Sequence, residues 1–305
     1  MCDDPEAFTV KREAIILKHI NRDGVGLEIG PSHAPVAPKV DGYNVQVVDH
    51  TDKKSLVEKY RLHNVAVDRI EEVDHIWHGE SYAALTGNVN HYDWIIASHV
   101  IEHTPNLVDF INSCAEVLKD DGLLSLAIPD ARYCFDFLRP LTGIGQIIDA
   151  NINQLTRHST GTAFEYCASY CSSKGKMTWG YGKTRKPFSL AYRLDSAHAV
   201  FSGHGSEQEY ADYHSWCFTP HSFRLIIYDL FQLGLIPLQE VAFYPTRACE
   251  FYVVLGKKGQ GATYSRLEFM QKIRDELRED ISFSELIRLK TRYWLGHIRR
   301  KLVSL

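Results

Sequence analysis

The 305-residue sequence has no hydrophobic run long enough to cross a membrane, no internal repeat and no low-complexity tract. A membrane-spanning helix needs about 20 consecutive apolar residues, so an integral membrane protein is not expected. The first residues are acidic and lack the apolar segment of a signal peptide. We therefore expect a cytoplasmic protein.

The sequence also lacks closely paired cysteines. Its seven cysteines are odd in number and scattered, and Cys167 and Cys171 are the nearest pair. No His or Cys follows them at the spacing of a zinc finger. We therefore expect free thiols, as in a reducing compartment, and no metal site.

An excess of positive charge is absent as well. The formal net charge is −4, with 34 Lys and Arg against 38 Asp and Glu. This balance gives no reason to expect a nucleic-acid partner. The length allows a large core in one elaborated domain, or in one domain with a cap.

What is present begins with a strand and a glycine turn. Residues 24–29 form an apolar run that ends at Gly30, and a second run, 45–48, ends at Asp49. In doubly wound α/β sheets, such a turn lets backbone amides approach a nucleoside, and the acid takes its ribose hydroxyls. Glu28, inside the first run, is unfavourable beside a pyrophosphate. It suits a ligand with positive charge beside its ribose, such as a sulfonium with an α-ammonium group.

A strand, a helix and a further strand follow. Residues 91–99 predict a strand, and apolar spacing predicts a helix over 107–119 that ends before Gly122. Residues 123–128 predict the next strand. Continuous apolar strands joined by a helix indicate parallel pairing with both faces covered.

These motifs resemble class I S-adenosylmethionine-dependent methyltransferases over residues 22–130 and the closing strands. The residues that carry the resemblance are Leu27-Glu28-Ile29-Gly30-Pro31, Asp49, Ser98-His99-Val100-Ile101-Glu102-His103-Thr104-Pro105 and Val117-Leu118-Lys119-Asp120-Asp121-Gly122. The family's glycine motif usually holds two or three glycines, whereas only Gly30 is present here. The resemblance implies S-adenosyl-L-methionine as cofactor and a doubly wound, mostly parallel seven-stranded α/β sheet with a terminal antiparallel hairpin.

The C-terminal part of the sequence fits that fold. A helix is predicted from Pro220 to a glycine cap at Gly234, and two β-rich runs, 235–244 and 249–255, are joined by a turn at 245–248. A nicotinamide-linked dehydrogenase is the alternative, but its six parallel strands have no terminal hairpin. The hairpin therefore favours the methyltransferase.

The sequence divides into five predicted parts. They are an N-terminal helix (1–21), a cofactor-binding core (22–130), an inserted aromatic-rich cap or lid (131–218), a closing helix and β-hairpin (219–257) and a basic helical tail (258–305). The cap holds 15 aromatic residues in 88 positions. These rings can form the cap's own core, stack on a sugar or another flat acceptor, or do both. Residues 172–176 and 180–183 are predicted to be mobile, as a lid must be.

The tail predicts a long helix, over residues 264–302, with a basic and an apolar side. It is expected to pack on its own domain or on a dimer mate. Alternatively, a basic amphipathic helix binds an anionic membrane surface, here the inner face of the membrane.

The resemblance implies a set of cofactor-binding residues by position. They are Glu28, Gly30, Pro31, Ser32, Asp49, His50, Asp74, Ala97, Ser98 and His99. Glu28 and Gly30 would lie by the methionine end and Asp49 by the ribose hydroxyls. Asp74 would approach adenine, unless it is only a loop acid.

Methyl transfer from a sulfonium is an in-line displacement, so the protein mainly has to align the reacting atoms and exclude water. A hydroxyl acceptor also benefits from a general base. The predicted bases are His103, His99, Asp130 and His214. His103 would otherwise shape the cofactor pocket, Asp130 would otherwise pair with Arg132, and His214 would act only if the cap closes.

The sequence therefore predicts an O-methyltransferase whose aromatic cap recognises its acceptor. The pattern is similar to that of methyltransferases of bacterial surface-polysaccharide biosynthesis, so we expect a sugar hydroxyl or glycan precursor as acceptor. A small metabolite or lipid precursor is an alternative acceptor. A catalytically silent methyltransferase-like protein that tethers partners through its tail is another alternative.

Overall fold

A computed structural model of the chain describes residues 11–62, 65–180, 187–203 and 212–278. The chain divides into two compact units, one up to residue 263 and the other from residue 264 on. The first unit contains the sheet and its covering helices. Within the second unit, the described residues form one helix.

The strands and helices follow one another in the alternating order of an α/β fold. The strands are β1 Gly26–Ile29, β2 Val45–Asp49, β3 His75–Ile76, β4 Tyr92–Ser98, β5 Leu118–Pro129, β6 Cys171–Ser173, β7 Phe188–Leu190, β8 Gln239–Arg247 and β9 Glu250–Gly256. The helices are α1 Arg12–Ile16, α2 Lys53–Leu62, α3 Tyr82–Thr86, α4 Leu107–Val117, α5 Ile144–Ile152, α6 Thr160–Ser169, α7 Leu194–Gly203, α8 Pro220–Gln232 and α9 Arg266–Arg278.

The main sheet has seven strands in the order β3-β2-β1-β4-β5-β9-β8. The first five are parallel, whereas β9 runs antiparallel to β5 and β8 antiparallel to β9. The predicted seven-stranded, mostly parallel sheet with a terminal hairpin is thus confirmed. The chain reverses its direction of strand addition between β1 and β4, which is where open α/β sheets bind ligands.

The parallel strands form because their residues are apolar on both sides. In β4, Ile95 packs in the larger core cluster and Ile96 in the smaller one, and both are fully buried. Gly26 in β1 makes room for its neighbour, because a Cβ there would lie 2.1 Å from the indole of Trp94. The sheet therefore has a packed core on each face.

Two helix beginnings follow from their sequences. Asn106 caps α4 by accepting a hydrogen bond from the backbone N–H of Asp109 at 3.2 Å. α8 begins with Pro220 in its first turn, where proline's missing N–H costs no helical hydrogen bond. Both helices bury apolar faces against the larger core cluster.

The predicted element boundaries were wrong in two places. α4 ends at Val117, and β5 starts at once with Leu118, so Gly122 lies in the strand and does not cap the helix. The closing hairpin turns more tightly than predicted, because β8 continues to Arg247 and β9 begins at Glu250. Residues 119–121 are polar and β8 contains Pro245, so both stretches look like strand breaks in the sequence. Pairing with neighbouring strands nevertheless extends β structure over them.

The insert after β5 builds its own small fold. It contains α5, α6, α7 and the two-stranded antiparallel sheet of β6 and β7. Tyr133, Cys171 and Trp179 form a separate buried cluster beneath it. In the predicted mobile stretches, β6 and its tight turn occupy residues 172–176, and residues 181–183 lie outside the described residues.

None of the helices in the described part of the chain is long and apolar enough to span a bilayer. The predicted tail helix is present as α9 over Arg266–Arg278. The basic stretch that follows lies outside the described residues, as do residues 1–10 of the predicted N-terminal helix, of which α1 is the described part.

Candidate active site

A cavity of about 1340 Å³ opens at the carboxyl ends of β1, β2 and β4. Single-ligand pockets measure roughly 300–1,000 Å³, so this cavity can hold a nucleoside cofactor together with a second molecule. The predicted site residues that line it are Glu28, Gly30, Pro31, Ser32, Asp49, His50, Ser98, His99 and His103. Residues of the insert, including His158 and Tyr213, line its other side.

One end of the cavity is formed by the turn after β1. Gly30 adopts a φ of +61°, which an L-residue with a side chain rarely adopts. Asp49 then joins the turn to the end of β2, because its carboxylate accepts hydrogen bonds from the backbone N–H of Ser32 at 3.0 Å and from the backbone N–H of His50 at 2.8 Å. Backbone amides and a strand-end acid therefore lie side by side here, as predicted.

Glu28 is almost fully buried between this turn and the loop that follows. Its two carboxylate oxygens accept hydrogen bonds from the backbone N–H groups of Val36, at 2.6 Å, and Ala37, at 3.1 Å. Burial raises the pKa of Glu28 to about 7, although the two N–H groups oppose the rise. The carboxylate thus has a loop-shaping role at the cavity wall, which the sequence did not suggest.

His99 follows β4 at the centre of the cavity. Its φ is +55°, an uncommon conformation for histidine that tends to occur at functional sites. Its Nε2 lies 2.7 Å from Glu250 Oε2, and Arg12 Nε donates to Glu250 Oε1 at 2.6 Å. Burial alone would raise the pKa of Glu250, but His99 and Arg12 lower it to about 2. Arg12 also donates to the hydroxyl of Ser98.

His99 and His103 both line the cavity and form its histidine wall. The carboxylate of Glu102 lies next to this wall and is fully buried. His99 Nδ1, His103 Nε2 and His214 Nε2 lie 3.8, 3.8 and 3.9 Å from Glu102 Oε1. Neither oxygen of Glu102 has a hydrogen-bond partner among the described residues. Three imidazoles therefore surround one carboxylate without bonding to it.

His103 and His214 are each paired with a second carboxylate. His103 Nδ1 lies 2.9 Å from Asp212 Oδ1. Burial alone would lower the pKa of His103, but Asp212 and Glu102 raise it. His214 Nδ1 lies 2.5 Å from Asp136 Oδ2, and burial alone would raise the pKa of Asp136, but His214 and Arg139 lower it to about 2.

Four predicted site residues do not line the cavity. Asp74 accepts from the backbone N–H of Val47 at 2.7 Å and from Lys39, and Ala97 is buried in β4. Asp130 is fully buried and pairs with Arg132 at 2.7 Å, the structural ion pair that was its alternative interpretation. His214 lies behind His103, with ring centroids 4.5 Å apart.

The comparisons with known proteins identify the chain. A family model described as a methyltransferase domain matches residues 10–184, more than half of the 305 residues. The chain belongs to this methyltransferase family. The match excludes the nicotinamide-linked dehydrogenase as an alternative.

The methyltransferase is similar to two solved structures at low identity. One is an S-adenosylmethionine-dependent methyltransferase from Aquifex aeolicus, with 10% identity and a TM-score of 0.39 over 83% of this chain and 93% of that one. The other is an S-adenosylmethionine-dependent methyltransferase from Methanosarcina mazei, with 12% identity and a TM-score of 0.40 over 81% of this chain and 98% of that one. No curated protein matches the sequence.

The cofactor of this methyltransferase is S-adenosylmethionine, and the turn end of the cavity fits it. Gly30 presents a backbone without a side chain, and Asp49 and Glu28, both of which are buried, line the same cavity. These acids suit a cationic nucleoside better than a polyanionic one.

Sequence reasoning missed several residues that organise this methyltransferase site. They are Arg12, Glu102, Asp136, Asp212 and Glu250. Glu250 starts the penultimate strand of the sheet order, and Arg12 precedes the whole core, so neither stands near a recognisable motif. Only Glu102 could have been found, since it adjoins His103 in the motif that carries the family resemblance.

Proposed function

We propose that this protein transfers the methyl group of S-adenosylmethionine to an acceptor hydroxyl, with a sugar or glycan precursor as acceptor. One observation carries the proposal. A single cavity extends from the glycine turn and Asp49 to the histidines at the end of β4 and on to Tyr213 of the insert. Donor and acceptor would thus share one chamber, which an in-line displacement requires.

The donor supplies an electrophilic methyl group on a sulfonium, and the chain's own residues bind and align it. In this proposal, the backbone after β1 and the carboxylate of Asp49 hold the adenosyl part. Ser98 and His99 lie at the end of the adjacent strand, where β1 and β4 are in register at Ile29 and Ala97. That position would bring the methyl group to the histidine wall.

The insert would supply the acceptor side. Arg157, His158, Thr160 and Tyr213 line the cavity there and offer hydrogen-bonding groups and one aromatic ring. Most other rings of the insert pack on one another, as Phe135 and Tyr170 do with stacked rings 4.4 Å apart. Tyr213 lines the cavity and also packs against Tyr166 and His158, with ring centroids 5.3 and 5.8 Å apart, so in this proposal its cavity side would stack on a sugar.

A hydroxyl acceptor must lose a proton, and the histidine wall is placed to take it. Of the four predicted bases, His99 and His103 line the cavity. His99 Nε2 lies 2.7 Å from Glu250 and His103 Nδ1 lies 2.9 Å from Asp212, so each ring has a second nitrogen that could accept a proton. We therefore propose one of these two as the proton acceptor, and neither Asp130 nor His214.

The test is transfer of a labelled methyl group to a panel of acceptors. The panel should hold sugars, nucleotide sugars, glycan fragments, small hydroxylated metabolites and lipid precursors. Labelled glycan product supports the proposal, and transfer to another acceptor class replaces the sugar with that class. Micromolar binding of S-adenosylhomocysteine without transfer to any acceptor would support the catalytically silent alternative instead.

Two further parts of the proposal concern location. We propose that the protein works in the cytoplasm and that its basic tail contacts a membrane surface or a second copy of the chain. The tail beyond Arg278 lies outside the described residues. Sedimentation with anionic vesicles, compared between the full chain and a chain truncated after residue 278, tests this.

A further inference from the structure

Glu102, His103 and His214 form a cluster of one carboxylate and two imidazoles at the back of the cavity. One ligand atom from each residue lies within 4.8 Å of the other two. We propose that this cluster binds a divalent transition-metal ion. The prediction of no metal site was based on the spacing of the cysteines. His214 is too distant in sequence from Glu102 and His103 to suggest a shared site.

The carboxylate of Glu102 is the first argument. It is fully buried, and neither of its oxygens has a hydrogen-bond partner in the described structure. Burying an unpaired carboxylate is costly, so such groups are normally paired or coordinate a metal. The nearest described cationic or potentially cationic groups are imidazoles at 3.8 to 3.9 Å, beyond hydrogen-bonding distance.

The spacing is the second argument. Two atoms that bind one Zn²⁺ at about 2.0–2.1 Å lie about 3.4 Å apart in a tetrahedral site. The distances from Glu102 Oε1 to His103 Nε2 and His214 Nε2 are only slightly longer. Small side-chain rotations would therefore bring all three to a common ion, and two histidines with one glutamate are a known zinc ligand set.

The outer carboxylates are the third argument. A metal-binding histidine almost always directs its second nitrogen to a carboxylate, a carbonyl or water, which fixes the ring. His214 Nδ1 is hydrogen-bonded to Asp136 at 2.5 Å, whereas His103 Nδ1 lies 2.9 Å from Asp212 without the alignment of a hydrogen bond. In both rings, the nitrogen that remains is the one nearer to Glu102. The imidazoles are thus held with one nitrogen each toward the centre of the cluster.

The charge balance agrees with a cation. Asp136 is neutralised by Arg139 at 3.0 Å. Glu102 has no arginine or lysine partner among the described residues, so the groups there that can balance its negative charge are the imidazoles around it. A divalent ion would neutralise it, and His103, which lines the cavity, marks the side from which the ion would enter.

The inference rests on the proposed function for its role, although not for binding itself. An ion beside the cavity would act as a Lewis acid on an acceptor hydroxyl. If His103 binds the metal, His99 is the imidazole of the wall that remains to accept the proton of the acceptor hydroxyl. Softer imidazole ligands favour Zn²⁺, Co²⁺, Fe²⁺ or Ni²⁺ over Mg²⁺.

The experiment measures metal binding to the full-length protein, without an activity assay. The protein is stripped with a chelator, dialysed and titrated with Zn²⁺ by calorimetry and with Co²⁺ by visible absorption. We expect one ion per chain with micromolar or tighter affinity, and Co²⁺ bands of nitrogen and oxygen ligation without a thiolate band. S-adenosylhomocysteine binding to the same samples reports on the adenosyl end.

Three variants locate the site. Glu102→Gln and His214→Asn should abolish one-to-one binding, and Asp136→Asn should weaken it about 10- to 100-fold, since that carboxylate only orients a ligand. His78→Asn is the matched control, because His78 lines the same cavity away from the cluster and should leave metal binding unchanged. Circular dichroism and S-adenosylhomocysteine affinity show whether each variant is folded.

The outcomes are distinct. Absence of binding at millimolar Co²⁺ by folded wild-type protein would overturn the inference and would indicate that protonated imidazoles balance Glu102. Binding that persists in folded Glu102→Gln protein would overturn it too, because the ion would lie elsewhere. Metal binding without S-adenosylhomocysteine binding would leave the metal site standing and remove the proposed function.

Discussion

Asp49 at the end of β2 accepts a hydrogen bond from the backbone N–H of Ser32, at 3.0 Å, so the turn after β1 and the neighbouring strand end form one unit. This contact holds the two sequence motifs together in space. The cofactor end of the cavity therefore depends on this single carboxylate, which also orders the turn.

Asp49→Ala should weaken S-adenosylhomocysteine binding about 100-fold. In the proposal, the Asp49 carboxylate accepts hydrogen bonds from the two ribose hydroxyls. The loss of two hydrogen bonds to a charged group costs roughly 3 kcal/mol. Calorimetric titration measures the effect. Asp74→Ala is the control, because Asp74 directly precedes β3 and lies outside the cavity. Equal losses in both variants would show that the effect is structural.

Gly26→Ala should destabilise the protein. The new methyl group would lie 2.1 Å from the buried indole of Trp94, and overpacking of this kind costs about 1–3 kcal/mol. Urea unfolding measures the free energy of unfolding. Gly145→Ala is the control, since no atom lies within 4 Å of a Cβ there and alanine favours the helix α5. If the Gly26 variant has the free energy of unfolding of the wild type, β1 and β4 can move apart to admit the methyl group without destabilising the protein.

Much of the fold follows from local sequence. Residues 24–29, 45–48 and 91–99 are apolar enough to require burial on both faces, and Gly30 and Asp49 mark where the first two strands stop. The predicted mostly parallel, seven-stranded sheet and its closing hairpin were therefore correct. The errors arose at Leu118 and Arg247, where pairing with adjacent strands extends β structure through residues that locally favour turns.

The site could be predicted only in part. Gly30 and Asp49 were identifiable because their roles depend on position after a strand. The environment of His103 was not, because Asp212 and Asp136 come from the insert and approach through tertiary folding alone. Asp74 was predicted wrongly for the same reason. Its position in the sequence fitted an adenine contact, but its carboxylate is bonded to Lys39 and to the backbone N–H of Val47, which the sequence does not show.

The stability of the protein should carry a pH dependence from Glu28. Its pKa is raised to about 7 by burial, whereas an unfolded glutamate titrates near 4.5. A group whose folded pKa is raised contributes stability that is fully present below the unfolded pKa and is lost as pH rises through the folded one. Between pH 4.5 and 8, the wild type should therefore lose about 3 kcal/mol relative to Glu28→Gln.

Urea unfolding of both proteins at pH 4.5, 6 and 8 measures this difference. The comparison with Glu28→Gln is needed because Glu250, with a pKa lowered to about 2, contributes the opposite slope at acid pH. That contribution is common to both proteins and cancels. Parallel stability curves would show that folding does not raise the pKa of Glu28.

His99→Asn should lower kcat about 100-fold or more, with little change in the affinity for S-adenosylhomocysteine. A positioned general base contributes about 10²- to 10⁴-fold, and asparagine tolerates the φ of +55° at this position. Single-turnover methyl transfer and calorimetry separate the two quantities. His78→Asn lines the same cavity and should keep the wild-type kcat. If His99→Asn retains full kcat, the proton leaves by another route, and the strained backbone at the end of β4 serves donor alignment only.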